Sequence, residues 1–84
     1  MRIQILYFAS VREDLGLSSE VVDLPDNVAT LGGLREYLCR RGGKWNDVLS
    51  RSNLCMAYDK KIARADTPLS DGGEAAFFPP VTGG

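Results

Sequence analysis

The residues best suited to chemistry stand at the end of the chain, in the segment 77–84 with the sequence FFPPVTGG. Pro79 and Pro80 cannot donate to a sheet ladder and favour a stiff, extended backbone. The residues after them add a reach of about 14 Å. Gly84 has no side chain, so its carboxylate is open and fits a narrow channel. This pattern predicts a thin tail that enters a partner, and a frayed chain end is the alternative.

The rest of the chain is poor in catalytic groups. It contains no histidine, which removes the usual general base near neutral pH and the commonest metal ligand. Cys39 and Cys55 are the only cysteines, and their spacing matches no metal or redox motif. Free cysteines among apolar neighbours are typical of packing, with a reactive thiol as the alternative. We therefore expect no metal and no catalytic side chain.

Composition limits the class of protein and of partner. The chain has 84 residues, 10 basic and 11 acidic side chains and a net charge of −1. This length suits one domain, and the balanced charge indicates neither nucleic acid nor a membrane surface as partner. No apolar run approaches the roughly 20 residues of a membrane span, and no signal-peptide pattern opens the chain. We expect a cytoplasmic protein.

The first elements follow from periodicity and caps. Residues 2–8 alternate with period two, so Ile3, Ile5 and Tyr7 share one face and Gln4, Leu6 and Phe8 the other. Ser10 and Glu13 fit a capping box for a short helix that Gly16 ends. Val11 and Leu15 form its inward face.

The middle of the chain predicts a strand at 20–24, a turn at 25–27 and the longest helix. Thr30 caps this helix, which runs to about Arg41 with leucines at helical spacing. Gly32 and Gly33 in its first turn each cost about 1 kcal/mol relative to alanine, so we expect a loose first turn. A short amphipathic turn containing Trp45 follows.

The last third predicts three strands. Residues 54–58 form the first, Asp59 and Lys60 turn the chain into a brief strand around Ile62, and residues 74–78 form the last. One helix across one mixed sheet is the economical α+β architecture. If the first and last strands lie side by side, the tail leaves from one end of the sheet.

These segments resemble a known family. ILYFASVRE at 5–13, LREYL at 34–38 and PLSDGGEAAFFPPVTGG at 68–84 are similar to the small subunit of molybdopterin synthase, the MoaD family. The resemblance covers essentially the whole chain. The closing FFPPVTGG is its most specific part, because it separates this family from thiamine sulfur carriers and from ubiquitin.

The resemblance implies a fold and a chemistry. The fold is a ubiquitin-like β-grasp of four to five strands on one main helix, with a domain at 1–78 and a tail at 79–84. A ubiquitin-activating-like adenylyltransferase uses ATP to adenylate Gly84, and a persulfide donor converts the acyl adenylate to a thiocarboxylate. The sulfur then passes to cyclic pyranopterin monophosphate. This chain binds no cofactor, and the catalytic side chains belong to the large subunit.

The resemblance also implies an interface. The partner is the large synthase subunit, in a heterotetramer of two small and two large subunits. Positions matching Phe8, Arg12, Ile62 and Phe78 contact it, although each apolar one could be core and Arg12 could be a solvated helix residue. The inserted tail comprises Pro80, Val81, Thr82, Gly83 and Gly84.

Other functions share this sequence pattern. A sulfur carrier of another pathway, of the thiamine type, uses the same activation. A ubiquitin-like modifier would join Gly84 to lysines of target proteins. A non-catalytic interaction module would insert the tail into a pocket without chemistry.

Overall fold

The computed structural model describes residues 1–80 as five strands and three helices. In chain order these are β1 (Arg2–Tyr7), α1 (Ala9–Leu15), β2 (Ser19–Asp23), α2 (Leu31–Cys39), α3 (Lys44–Leu49), β3 (Cys55–Tyr58), β4 (Lys61–Ile62) and β5 (Glu74–Phe78). The predicted order of elements is confirmed. The strands form one sheet in the order β2-β1-β5-β3-β4.

The first and last strands lie side by side in the middle of this sheet. β1 and β5 pair in parallel, with Tyr7 opposite Phe77, and all other neighbours are antiparallel. Both central strands therefore end at the same edge. The predicted mixed α+β sheet is confirmed, and so is the position of the tail base at one end of it.

The helices cover one face of the sheet and enclose the core. Apolar residues spaced two apart on strands and three or four apart on helices point into the same layer. The nine largest fully buried side chains are Tyr7, Phe77, Ile3, Ile5, Leu31, Leu34, Leu38, Leu49 and Val11. This confirms the predicted inward faces of β1, α1 and α2.

The predicted capping box at Ser10 is wrong. Helix α1 starts two residues earlier, and its N-cap is Phe8, whose side chain makes no capping hydrogen bond. The Phe8 carbonyl accepts hydrogen bonds from Val11 N at 3.1 Å and Arg12 N at 3.3 Å. The Phe8 N–H still donates to Phe77 O at 3.1 Å. Phe8 is therefore bonded to the sheet and is at the same time the N-cap of α1, so no separate capping residue follows it. Gly16 ends the helix with φ 72°, as predicted.

The first three N–H groups of α2 all have hydrogen-bond acceptors, so the predicted loose first turn is also wrong. The amides of an initial helical turn have no partners within the helix. Here Thr30 Oγ1 accepts from Gly33 N at 3.1 Å, which confirms the predicted cap. Gly32 N donates to Ala65 O at 2.8 Å, and Leu31 N to Thr67 O at 2.9 Å.

The glycine at position 32 has a packing reason. A β-carbon there would lie 2.8 Å from Ala65 Cβ and 3.0 Å from Ala65 O, closer than van der Waals contact allows. Glycine thus lets the loop before Leu69 lie directly against the start of α2. Helix α2 ends at Cys39, two residues before the predicted Arg41.

Candidate docking face and base of the tail

The base of the tail is held on both sides. β5 lies between β1 and β3, and Phe78 is opposite Cys55 on β3. On the other side, Phe77 O accepts the Phe8 N–H. The last residue of β5 is therefore fixed relative to two strands, although Pro79 and Pro80 follow it directly. The tail residues Val81, Thr82, Gly83 and Gly84 lie outside the described residues.

The sheet face turned away from the helices, here called the open face, carries the predicted interface residues. Residues paired across strands project from the same side of a sheet, so the registers assign the face. Leu6, Ala76, Ala57 and Ile62 form one row across four strands. With strands about 4.8 Å apart, this row spans roughly 14 Å.

A second row lies two residues nearer the tail. It contains Cys55 and its partner Phe78. Phe8 extends it, because its backbone is extended (φ −121°, ψ 155°) and continues the alternation of β1. We call the apolar residues of the two rows the docking patch: Leu6, Phe8, Cys55, Ala57, Ile62, Ala76 and Phe78.

Exposure distinguishes the large side chains of the docking patch from the core, whereas the small Ala57 is buried. Phe8 is 45% exposed and Ile62 79% exposed, and Phe78 is half-buried. Phe77, one residue away on the opposite face, is fully buried. The structure therefore places Phe8, Ile62 and Phe78 together at the surface, and their role in binding stays a prediction.

The other end of the open face is polar and charged. Val21 is 54% exposed, but it pairs with Gln4, whose partner on β5 is Glu74. Beyond them, Arg2 Nε donates to Asp23 Oδ1 at 3.1 Å. Only the end of the open face nearest the tail is continuously apolar.

Arg12 lies beside this face without belonging to the sheet. It is exposed on α1, and its amide donates to the Phe8 carbonyl. Within residues 1–80 its guanidinium forms no ion pair. The structure thus leaves this side chain exposed on α1, and its predicted contact with a partner remains a prediction.

Sequence reasoning missed one member of the docking patch. Cys55 was expected to be simple packing, but its pairing with Phe78 puts it on the open face. The sequence signal that could have shown this was strand alternation, because Cys55 and the buried Met56 are neighbours and therefore lie on opposite faces of the sheet. Cys39 does pack against the core, and burial raises the pKa of its thiol. Both thiols are free.

A polar network supports the docking patch from the helix side. The Tyr7 hydroxyl donates to Glu20 at 2.8 Å, and Arg41 donates to both Glu20 oxygens at 2.9 Å. The Arg41 guanidinium lies 4.4 Å from the centre of the Trp45 ring, and the Tyr7 ring stacks on Phe77 at 6.1 Å. Strand β1 is thereby fixed behind the docking patch.

This network shifts two pKa values. Burial alone would raise the pKa of Glu20, but hydrogen bonds from Arg41 and Tyr7 and the charge of Arg41 together lower it. Burial raises the pKa of Tyr7, and the hydrogen bond to Glu20 adds to the effect. Both groups therefore keep one protonation state near neutral pH.

Other features of the described residues lie away from the docking patch. A cleft of about 580 Å³ between α2 and α3 is lined by Arg35, Glu36, Cys39 and neighbouring residues. It contains none of the predicted interface residues within 1–80. No helix in that part of the chain has the length and apolar character needed to span a bilayer. The cytoplasmic location and the absence of a cofactor stay predictions.

The chain matches known proteins over nearly its whole length. The model of the ThiS family matches residues 5–84. The molybdopterin synthase sulfur carrier subunit of Haemophilus influenzae is 37% identical over 98% of this chain and 99% of its own.

Solved structures share the fold. A putative molybdopterin converting factor subunit 1 from Pyrococcus furiosus is 25% identical, with a TM-score of 0.79 over 96% of this chain and 99% of its own. One chain of a complex of subunits 1 and 2 of molybdopterin-converting factor from Helicobacter pylori is 22% identical, with a TM-score of 0.69 over 100% of both chains. The ubiquitin-like β-grasp fold is confirmed, and the chain belongs to the ThiS family, in the group formed by the molybdopterin synthase sulfur carrier subunits.

Proposed function

We propose that this protein is the sulfur carrier subunit of a molybdopterin synthase. The observation that carries the proposal is the position of the tail base, between two strands and beside an exposed apolar patch. The 37% identity to a sulfur carrier subunit of that enzyme supports it. The domain is a handle that partners grip while they act on the chain end.

The chemistry proposed for Gly84 follows from the reactivity of a carboxylate. A carboxylate is a poor acyl donor, so ATP must first convert it to an acyl adenylate with release of pyrophosphate. The terminal sulfur of a persulfide donor then attacks the acyl carbon and displaces AMP, which gives an acyl disulfide. A thiol reductant cleaves the sulfur–sulfur bond, so the thiocarboxylate is released and the donor sulfur is left in a disulfide with that thiol. Glycine leaves the attacked carbonyl unhindered. Every acid or base in these steps belongs to a partner.

The proposed partner for sulfur delivery is the large subunit of the synthase. Specific interfaces have an apolar centre rich in aromatic residues and a polar rim. The docking patch provides two phenylalanines at such a centre, with the Arg12 guanidinium exposed nearby. The large subunit would cover this patch and receive the tail, and sulfur would pass to cyclic pyranopterin monophosphate.

An intact-mass measurement tests the chemistry. The protein is co-expressed with a ubiquitin-activating-like adenylyltransferase and a persulfide-forming sulfur donor. We expect a mass increase equal to the replacement of one oxygen by sulfur, located at Gly84 by fragmentation. A variant lacking Gly84, prepared in parallel, should show no increase.

The same experiment separates the alternatives. Protein that stays unmodified in the presence of both enzymes would contradict a carrier and favour a non-catalytic module. Adducts in which Gly84 is joined to lysines of other proteins would indicate a modifier. A thiocarboxylated protein that supports molybdopterin formation with the large subunit would exclude a carrier dedicated to another pathway.

A further inference from the structure

Ala9 has an unusual backbone for its residue type. Its φ is 51°, in the left-handed region that residues with a β-carbon rarely occupy. Among residues 1–80, the only other non-glycine residues with positive φ are Asp59 and Lys60, which form a hairpin turn that requires it. No such turn explains Ala9, which is the first residue of α1 and directly follows the N-cap Phe8.

The consequence of this conformation falls on Phe8. The chain changes from strand to helix within one residue, and both backbone groups of Phe8 remain bonded. Its N–H donates to Phe77 O, and its carbonyl accepts from the first turn of α1. Val11 and Leu15, buried in the core, fix α1 in place. The Phe8 ring is thus exposed while its backbone is fully constrained.

A different φ at position 9 would displace this ring. With α1 anchored, the change in direction would have to be absorbed at Phe8, and the bond to Phe77 O would lengthen or break. That bond also holds the end of β5 from which the tail leaves. Unusual backbone conformations of this kind persist only where the surrounding structure imposes them, and they cluster at functional sites.

We propose that Ala9 is a positioning residue for partner docking, whose left-handed backbone sets the place of the Phe8 ring on the docking patch. This inference rests on the proposed function, since it assumes that the docking patch binds the large subunit. Ala9 acts through Phe8 and need not touch the partner.

A double-mutant cycle tests this coupling. Affinity for the large subunit is measured by calorimetry for the parent protein and for Phe8→Ala, Ala9→Val and the double variant. Valine is β-branched and strongly disfavours positive φ. We expect Ala9→Val to weaken binding about tenfold in the parent background and less than about twofold once the Phe8 ring is absent. Equal losses in both backgrounds, or no loss in either, would overturn the proposal.

Backbone-compatible substitutions provide the rescue. Glycine and asparagine tolerate left-handed φ, so Ala9→Gly and Ala9→Asn should bind within about twofold of the parent. The Phe8 amide donates to Phe77 O, so we expect slow hydrogen exchange at this amide in the parent and in both variants. If Ala9→Val does not fold, these two variants decide the matter. Retained affinity and protection support the proposal, and a loss of more than about fivefold in both contradicts it.

The docking assumption is tested separately. If Phe8→Ala binds the large subunit as tightly as the parent, the docking patch is not the binding surface, independently of the effect of substitutions at Ala9. Sulfur loading of Gly84, measured by mass, is a third readout, so failure of the carrier function is distinguished from failure of either binding claim.

Discussion

Phe77 and Phe78 are adjacent in the chain but have opposite environments. Phe77 is fully buried and stacks on Tyr7, whereas Phe78 is half-buried on the open face beside Cys55. Strand alternation alone produces this division. It predicts that substitution of the first phenylalanine affects folding and substitution of the second affects binding.

The Phe78→Asp variant should fold but bind the large subunit weakly. Its carboxylate would be desolvated without a partner in an apolar interface, which costs about 2–5 kcal/mol, or a loss of thirtyfold or more in affinity. Val21→Asp is the matched control, because Val21 is exposed on the same face but two rows from Phe78. Calorimetric titration should show near-parental affinity for the control. Equal losses for both variants would mean that the partner covers the whole open face.

Residue-level prediction from sequence succeeded where alternation was strict and failed at a junction. Phe8, Ile62 and Phe78 were assigned to a surface face, and the structure places them there. The prediction of Ser10 as the N-cap was wrong because a capping box is read from neighbouring residues alone, whereas the helix start is set by the hydrogen bond between Phe8 and Phe77. That contact joins residues far apart in the chain.

At the scale of elements, helix α2 is connected to the sheet through loops as well as through its leucines. Its first amides bind carbonyls of the segment that precedes β5. The helix start and the approach to the last strand therefore form one unit. Helix propensities describe only the residues of the helix and not its hydrogen bonds to another segment of the chain. This is why Gly32 and Gly33 suggested a loose first turn.

The Gly32→Ala variant should be destabilised although alanine favours helix. The propensity gain of about 1 kcal/mol is opposed by overlap with Ala65, for which overpacking costs of roughly 1–3 kcal/mol are typical. We expect a lower urea midpoint and a net loss of about 1 kcal/mol. Gly33→Ala is the control, since its nearest contact is Thr30 Oγ1 at 3.3 Å. A Gly32→Ala variant more stable than the parent would disprove the close packing.

The network of Tyr7, Glu20 and Arg41 predicts a pH dependence of stability. The pKa of Glu20 is lowered in the fold, so its contribution is present above the unfolded value, near 4.5, and is lost as pH falls through the folded pKa. The pKa of Tyr7 is raised, so its contribution is lost as pH rises above about 10.

Chemical denaturation across this pH range tests the network. Glu20→Gln should be less stable than the parent at pH 7, and the difference should shrink below pH 4.5. Asp14→Asn removes the exposed pair with Arg51 and should change stability by less than about 1 kcal/mol. A constant difference between Glu20→Gln and the parent at every pH would show that the ionised carboxylate is not involved.

At the scale of the whole molecule, the core and the proposed chemistry occupy separate parts of the chain. Among residues 1–80, the last buried side chain is Phe77. Strand β5 ends at Phe78, and the division into a domain at 1–78 and a tail at 79–84 stays a prediction. We therefore expect that changes at the chain end leave the fold intact.

Deletion of Gly84 should abolish thiocarboxylate formation and leave thermal stability unchanged. The shift in Tm should be within about 1 °C, because the core described above is formed by residues up to Phe77. Mass spectrometry and a thermal melt of the same sample provide both readouts. A clearly lower Tm for the deletion would show that the chain end also packs against the domain.

Much of the fold was predictable because its core pattern is regular. The order of elements and the inward faces followed from periodicity, whereas the pairing of β1 with β5 entered only as a condition for the position of the tail. The strand order β2-β1-β5-β3-β4 and the packing role of Gly32 could not be predicted from the sequence, because both depend on contacts between distant segments. The chemistry of Gly84 came from the family resemblance, since a terminal glycine alone indicates only access.

The central position of β5 has a mechanical consequence. If a partner draws the chain end into its channel, as proposed above, a pull on the end of β5 acts along the axis of this strand. The hydrogen bonds to β1 and β3 run across that axis and are loaded together, in shear, instead of being opened one by one. The domain can therefore serve as an anchor against a pull on its own terminus.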